Sequence, residues 1–261
     1  MVVTFVLCFT APVYTTTTGK DYTVLSVLTT FSKDQIKNIL HLSSYRVFVN
    51  SANSYLNLFI PIVAAFPFIT AFCSERNSGN IRMTISRTGK FRYCLGKFIS
   101  CMAGGGIAVM AGYILYGLFI LPFFPAEHSL RLLSGQMHSV AGKLAADVIL
   151  NVIGMFLYGA VSSLPAFLLA AVIHNKYLIT CIPFMLLYIL QSSVSQLETN
   201  AISVDNWDLF DKAQAFSLQS IQKLLFGGKY IWITIIEIIL LSFISFLVFL
   251  KVAERKGDCG E

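Results

Sequence analysis

Long apolar runs separated by shorter polar segments set the rhythm of this chain. Five runs reach or approach the roughly 20 residues that a helix needs to cross a hydrocarbon core about 30 Å thick. They are Tyr55–Cys73, Phe98–Phe124, Val148–Ile173, Tyr177–Ser195 and Tyr230–Val252. Lys251, at the edge of the last, is the only lysine or arginine in any of them, and it can snorkel to the interface. A sixth run, Val2–Val13, would reach only about 18 Å as a helix. It has no basic leader, and Ala11-Pro12 is a poor cleavage site, so it does not read as a signal peptide. It reads as the outer part of a first transmembrane helix whose beginning is short or missing from this chain.

The segments between the runs differ in character. In residues 14–54, Ser32 and Gln35 have capping-box spacing ahead of Ile36, Ile39 and Leu40, which predicts a short amphipathic helix. Residues 74–97 are compact and basic. In 125–147, Pro125 punctuates, and Leu130, Leu132 and Leu133 suggest a helix lying on the membrane surface. His174-Asn175-Lys176 makes a tight turn. Residues 196–229 carry Asp205, Asp208 and Asp211, then an amphipathic run through Phe216, Ile221, Leu224 and Leu225.

Composition agrees with the pattern. Of 261 residues, 56% are hydrophobic and 12% charged, and the mean hydropathy is +0.72. Soluble domains carry about 25% charged residues, so a soluble enzyme could not cover its surface with this sequence. The 22 Phe and 11 Tyr exclude a disordered chain. The net charge of +6 comes with no basic, aromatic-interleaved face on a water-soluble module, which excludes a nucleic-acid partner.

The distribution of basic residues orients the spans. Segment 74–97 holds Arg76, Arg82, Arg87, Lys90, Arg92 and Lys97 against one acid, Glu75; Lys176, Lys251, Arg255 and Lys256 fall on the same side. The positive-inside rule places that side, with both termini, in the cytoplasm. Cys8, Cys73, Cys94, Cys101, Cys181 and Cys259 all lie in spans or on this inner side, so no disulfide is expected. None of the cysteines has zinc-site spacing. The sequence has no N-x-Ser/Thr sequon, in keeping with a bacterial cytoplasmic membrane.

The chemistry-bearing segment is 74–97. It leaves a span through Glu75-Arg76, passes Ser78-Gly79 and an apolar repeat of Ile81, Met83 and Ile85, then Ser86-Arg87 and Tyr93, and enters the next span at Lys97. Physically this is a short amphipathic helix held at the inner surface between two membrane helices, its basic residues at the lipid headgroups and its tip free to dock. Any multispanning protein needs basic inner loops; the Glu75-Arg76/Ser78-Gly79 arrangement at a span's exit is what points further. It resembles the loop of type-2 ABC export permeases, in which the same pattern frames a coupling helix. His174-Asn175-Lys176-Tyr177 followed by Pro183 is similar to that family's entry into its fifth helix.

The resemblance implies an all-α permease with six transmembrane helices (about 2–13, 55–73, 98–124, 148–173, 177–195 and 230–252), a coupling loop at 74–97 and outer amphipathic helices. It implies an ABC ATP-binding subunit gripping Glu75, Arg76, Ser78, Gly79, Ile81, Arg82, Ile85 and Arg87, and a second permease chain, the same or related, completing the pathway. The cargo it implies is an amphipathic peptide or lipophilic compound. The residues agree on where ATP would bind. No Gly-Lys pair here has the preceding glycine and following Ser/Thr of a Walker A loop, so ATP and Mg are expected on the partner and no catalytic residue, cofactor or metal on this chain.

Two further features stand out. Glu237 is the only acid well inside a span, where a charge costs about 2.5–3.5 kcal/mol on insertion scales. It reads either as a pathway or dimer-interface residue or as a neutral acid hydrogen-bonded to a neighbouring helix. Gly104, Ala108 and Gly112 place small side chains along one helix face, which favours close packing. No histidine pair lies mid-membrane for a haem, and no Ser/His/Asp set converges on a span. The alternative function is an ion-coupled transporter or channel, for which Glu237 stands nearly alone and no internal repeat is visible.

Overall fold

The computed structural model describes residues 1–15, 21–32, 36, 43–52, 56–78, 80–125, 140–173, 175–204, 206–217, 219–226 and 231–258. Among them, five helices are long and apolar enough to cross a membrane: Leu56–Arg76, Lys90–Ile120, Ala145–Val172, Tyr177–Ser203 and Ile231–Val252. The chain is built as a multi-pass, predominantly helical membrane protein.

The expected first span is not among the five. Helix α1 (Val2–Cys8) has seven residues, about 10 Å of helix. Beyond it, Pro12 has no N–H to continue a helix. Strand β1 (Pro12–Thr15) pairs antiparallel with β2 (Asp21–Thr23), with Pro12 opposite Thr23 and Thr15 opposite Asp21. Among the described residues this hairpin is the one extended pairing in an otherwise helical, all-α polytopic fold, and its Val13, Tyr22 and Thr23 suit a pleated backbone. Thr23 then caps α2 (Val24–Thr30), its side chain accepting from the Ser26 N–H.

Other boundaries shift for local reasons. Helix α4 (Leu56–Asn77) follows α3 (Ser44–Ser51) and passes through Pro61 and Pro67 without ending. The amphipathic helix expected within 74–97 is α5, Asn80–Thr88, and α6 (Lys90–Ile120) starts at Lys90 rather than Phe98. The span expected at 148–173 is present as Ala145–Val172, with a one-residue turn at Ser163 separating α7 (Val140–Ser162) from α8 (Leu164–Val172). Pro165 has no N–H for the Val161 carbonyl, which interrupts the ladder there. Helix α9 (Lys176–Ser203) outruns its expected end at Ser195, and α10 (Trp207–Phe216), α11 (Gln219–Lys223) and a 3-10 turn (Leu224–Phe226) precede α12 (Ile231–Asp258). Gln35, Tyr55, the surface helix expected at Leu130–Leu133, His174 and Asp205 lie outside the described residues.

The chain forms two compact units, one of Met1–Phe59 with Met110–Ile153 and one of Ile60–Val109 with Gly154–Glu261. In the first, α6 is the support. A Cβ on Gly112 would fall 2.5 Å from Thr4 Cβ, and one on Gly117 2.7 Å from the Phe48 ring, so glycine lets α1 and α3 approach closely. Tyr113 donates to the Phe48 carbonyl (2.9 Å), and Ser44 Oγ to that of Phe124 (2.7 Å).

In the second unit, aromatic residues from four helices share one core. Phe167 of α8 stacks on Phe249 of α12 (4.3 Å between centroids) and meets Phe68 of α4 and Phe98 of α6 at 5.5 and 5.6 Å. Helices α6 and α7 touch backbone to backbone: a Cβ on Gly105 would meet the Gly159 carbonyl at 3.0 Å, and one on Gly159 the Gly105 carbonyl at 2.9 Å. Of the small-residue stripe, Gly112 makes the close approach to α1, whereas Gly104 has only Pro67 Cβ at 3.9 Å and the tight approach to α7 falls one residue along, at Gly105. Helix α11 is seated on α7, since a Cβ at Gly154 would run into the Gln222 carbonyl. Thr234 ties this segment to α12 by donating to the Ala215 carbonyl (3.1 Å) and meeting Ser220 Oγ at 3.0 Å.

Candidate functional site

The elbow between α4 and α6 gathers most of the residues singled out in the sequence, and it belongs to the second unit throughout. Ile81 and Ile85, one helical turn apart, pack against the aromatic core and fix which face of α5 turns inward. Gly89 closes the helix. Its φ of +83° is a left-handed conformation that glycine adopts without penalty, and no atom would crowd a Cβ there, so backbone angle and not space requires glycine. Its N–H bonds to the Ile85 carbonyl (2.9 Å), while its own carbonyl accepts from Tyr93 N–H (3.1 Å). One residue thus ends α5 and starts α6.

The charges at the root of the elbow are engaged within the chain. Lys97 donates to both carboxylate oxygens of Glu75, Oε1 at 2.6 Å, and its ammonium lies 5.6 Å from the Tyr93 ring centroid. This fastens the exit of α4 to the first turns of α6. Arg76 reaches the other way. Its Nη1 donates to the Ile173 carbonyl (3.0 Å), and Nη2 to those of Ile173 (2.7 Å) and Ala170 (2.8 Å). Those oxygens close the C-terminal end of α8, where a helix has no N–H of its own to offer and where a cation complements the dipole. The guanidinium also sits 5.4 Å from the Phe72 ring centroid.

The opposite face of α5 is open. Met83 is 68% exposed, and Thr84, Ser86 and Arg87 are exposed beside it. Ser78 is exposed, its Oγ donating to the Glu75 carbonyl (3.0 Å). Gly79 and the side chain of Arg82 lie outside the description. The residues expected to act together therefore divide: Glu75, Arg76, Ile81 and Ile85 hold the elbow in place, while Ser78 and Arg87 share its outer surface with Met83. The sequence signal for the first pairing was that Glu75 is the one acid among six basic residues. No local signal marks the carbonyls that Arg76 finds.

Two features lie elsewhere. Glu237, on α12, is half-buried, and its Oε2 has no hydrogen-bond partner among the described residues. On α9, Cys181, Tyr188, Ser192, Ser195 and Thr199 recur at helical spacing and are all exposed. Counted from Lys176, Ser192 and Ser195 fall about 24 and 29 Å along the helix, within the thickness of a hydrocarbon core of about 30 Å. Among the described residues, no group of three or more His, Cys, Asp or Glu side chains could hold a metal ion. No protein-family model, no curated protein and no solved structure matches the chain.

Proposed function

We propose that this chain is the membrane subunit of an ATP-driven exporter in a bacterial cytoplasmic membrane, with the elbow and both termini on the cytoplasmic side. The observation that carries the reading is the construction of α5: a helix pinned at its root by two ion-bearing contacts and two isoleucines, with Met83 and Arg87 left on its outer face. A surface loop that served topology alone would need basic residues but not this anchorage. A separate ATP-binding subunit, holding ATP and Mg, grips that outer face, and its nucleotide-dependent preference between two conformations drives the cycle. Two permease chains, identical or related, enclose the path. The exposed Ser192 and Ser195 of α9 support that arrangement, because hydroxyls at membrane depth are better matched by a second chain or a water-lined path than by lipid. An amphipathic peptide or lipophilic compound suits a path of this mixed character.

The test is reconstitution with an ATP-binding protein encoded beside this chain. A single cysteine at Met83 is expected to cross-link to that partner, and vesicles containing both are expected to export a fluorescent amphipathic peptide only with hydrolysable ATP. No cross-link and no ATP-dependent export would sink the reading.

The second reading is an ion-coupled transporter, favoured by the unpartnered Oε2 of Glu237. It requires transport driven by an ion gradient without ATP and abolished in Glu237→Gln.

A further inference from the structure

We infer that the exposed junction of α6 and α12, at the end nearest the elbow, binds one anionic phospholipid, its phosphate held between Arg92 and Lys251. The two helices meet there through aromatic rings. Phe91 lies edge-on to Phe246 at 5.7 Å between centroids, and Phe98, two turns further along α6, meets the same ring at 5.7 Å. Phe98 and Phe246 also pack against the aromatic core, which supports the junction from behind. Both helices belong to the second unit at this level.

An apolar stripe runs along each helix beside these rings. On α6, Phe91, Leu95 and Ile99 recur every four residues and are exposed; on α12, Phe243 and Leu247 are exposed at the same spacing. Lys251 continues the α12 stripe by one turn, and Arg92 directly follows Phe91; both are exposed. The two cations stand at the same end. Phe249, two residues before Lys251, meets Phe72, which lies one turn before Arg76 at the root of the elbow, and α6 begins just beyond that elbow. Charge sets the class of ligand. Neither Arg92 nor Lys251 forms an ion pair with another described side chain. Residues 86–97 and 246–256 together hold seven basic residues and one acid, Glu254. Apolar stripes alone would accept any lipid tail, and scattered basic residues would meet any headgroup layer. Cations from two helices at the head of apolar walls from the same two helices match a molecule with a negative head and hydrocarbon tails. The arginine fork adds the geometry that phosphate oxygens favour.

This goes beyond the exporter reading, because the site needs only that the chain crosses a bilayer. The experiment is native mass spectrometry and thermal unfolding of the purified full chain in dodecyl maltoside, with dioleoylphosphatidylglycerol or dioleoylphosphatidylcholine added. One phosphatidylglycerol is expected to stay bound per chain and to raise the melting temperature; phosphatidylcholine is expected to do neither. Arg92→Gln and Lys251→Gln are each expected to weaken retention about fivefold, the attraction that one cation near a membrane surface contributes. Lys212→Gln, which removes a cation on α10, is expected to leave retention unchanged. Glycerol phosphate, a head without tails, is expected to give no thermal shift. Equal effects of the two lipids, or full retention when Arg92→Gln and Lys251→Gln are combined, would overturn the site. A shift with glycerol phosphate alone would make it an anion site and overturn the lipid. A Leu247→Cys chain that cross-links to its own copy and retains no lipid would give the junction to a second chain, which also overturns it. None of these readouts depends on ATP, so the exporter reading and this site stand or fall separately.

Discussion

Lys97 closes on the Glu75 carboxylate across the root of the elbow, joining two residues 22 apart in sequence. Their side chains are 21% and 40% exposed, so the pair is partly screened and contributes about 1 kcal/mol or less. Lys97→Ala and Glu75→Ala are each expected to lower the melting temperature slightly. The exchanged pair Glu75→Lys with Lys97→Glu is expected to recover most of the loss. A double-mutant cycle by thermal unfolding measures it, and additive single losses would mean that the two charges do not interact.

Gly105 and Gly104 are neighbours with opposite tolerance. A methyl group on Gly105 meets Ser163 Cβ at 2.9 Å and two backbone carbonyls at 3.0 Å, whereas on Gly104 its nearest neighbour is 3.9 Å away. Gly105→Ala is expected to cost about 1–3 kcal/mol by overpacking, and Gly104→Ala to be close to neutral. Fluorescence-detected melting in one detergent compares them directly.

Gly89→Ala introduces no clash and acts only through the backbone. At φ +83° it is expected to cost about 1 kcal/mol, and Gly89→Asn less, since asparagine tolerates the left-handed region better. Limited proteolysis is expected to cut the alanine variant faster between residues 86 and 92. Equal cutting rates for both variants and wild type would contradict the role given to this turn.

The open face of α5 separates docking from stability. Met83→Glu is expected to leave the stability within about 0.5 kcal/mol of wild type, the ordinary range for exposed substitutions. Under the exporter proposal it abolishes co-purification of the ATP-binding partner, and Arg87→Glu weakens it. Retained binding in both would move the docking surface away from this helix.

Cysteine reactivity provides a check on burial. Cys8, Cys73, Cys94 and Cys101 are buried and Cys181 is exposed. In detergent, Cys181 is expected to take up maleimide rapidly while those four react only on unfolding. Protection of Cys181 that disappears on dilution would place a second chain against α9.

The spans were legible because about 20 apolar residues in a row have few other uses. The amphipathic elbow was legible for a similar reason, as Ile81 and Ile85 lie on one face and Arg82 and Arg87 do not. What escaped was non-local. Pro165 sat in plain view, but a run as apolar as 148–173 reads as one helix until the packing on either side of Ser163 is known. Glu75 and Arg76, adjacent in sequence, reach α6 and α8 respectively, and no spacing rule links them to Lys97 or Ile173. The Gly104–Ala108–Gly112 stripe followed a sound periodicity, but the neighbours that decide which glycine is tight come from α1, α4 and α7. The run expected at 2–13 stays helical only over Val2–Cys8, because Pro12 has no N–H to carry the helix on and the chain turns into a hairpin there.

The seat of α11 on Gly154 alters the barrier that the protein presents. Gly154 lies about 13 Å along the helix from Ala145, so the Gln222 carbonyl that meets it sets a peptide dipole beside α7 at a depth where a hydrocarbon core of about 30 Å would offer none.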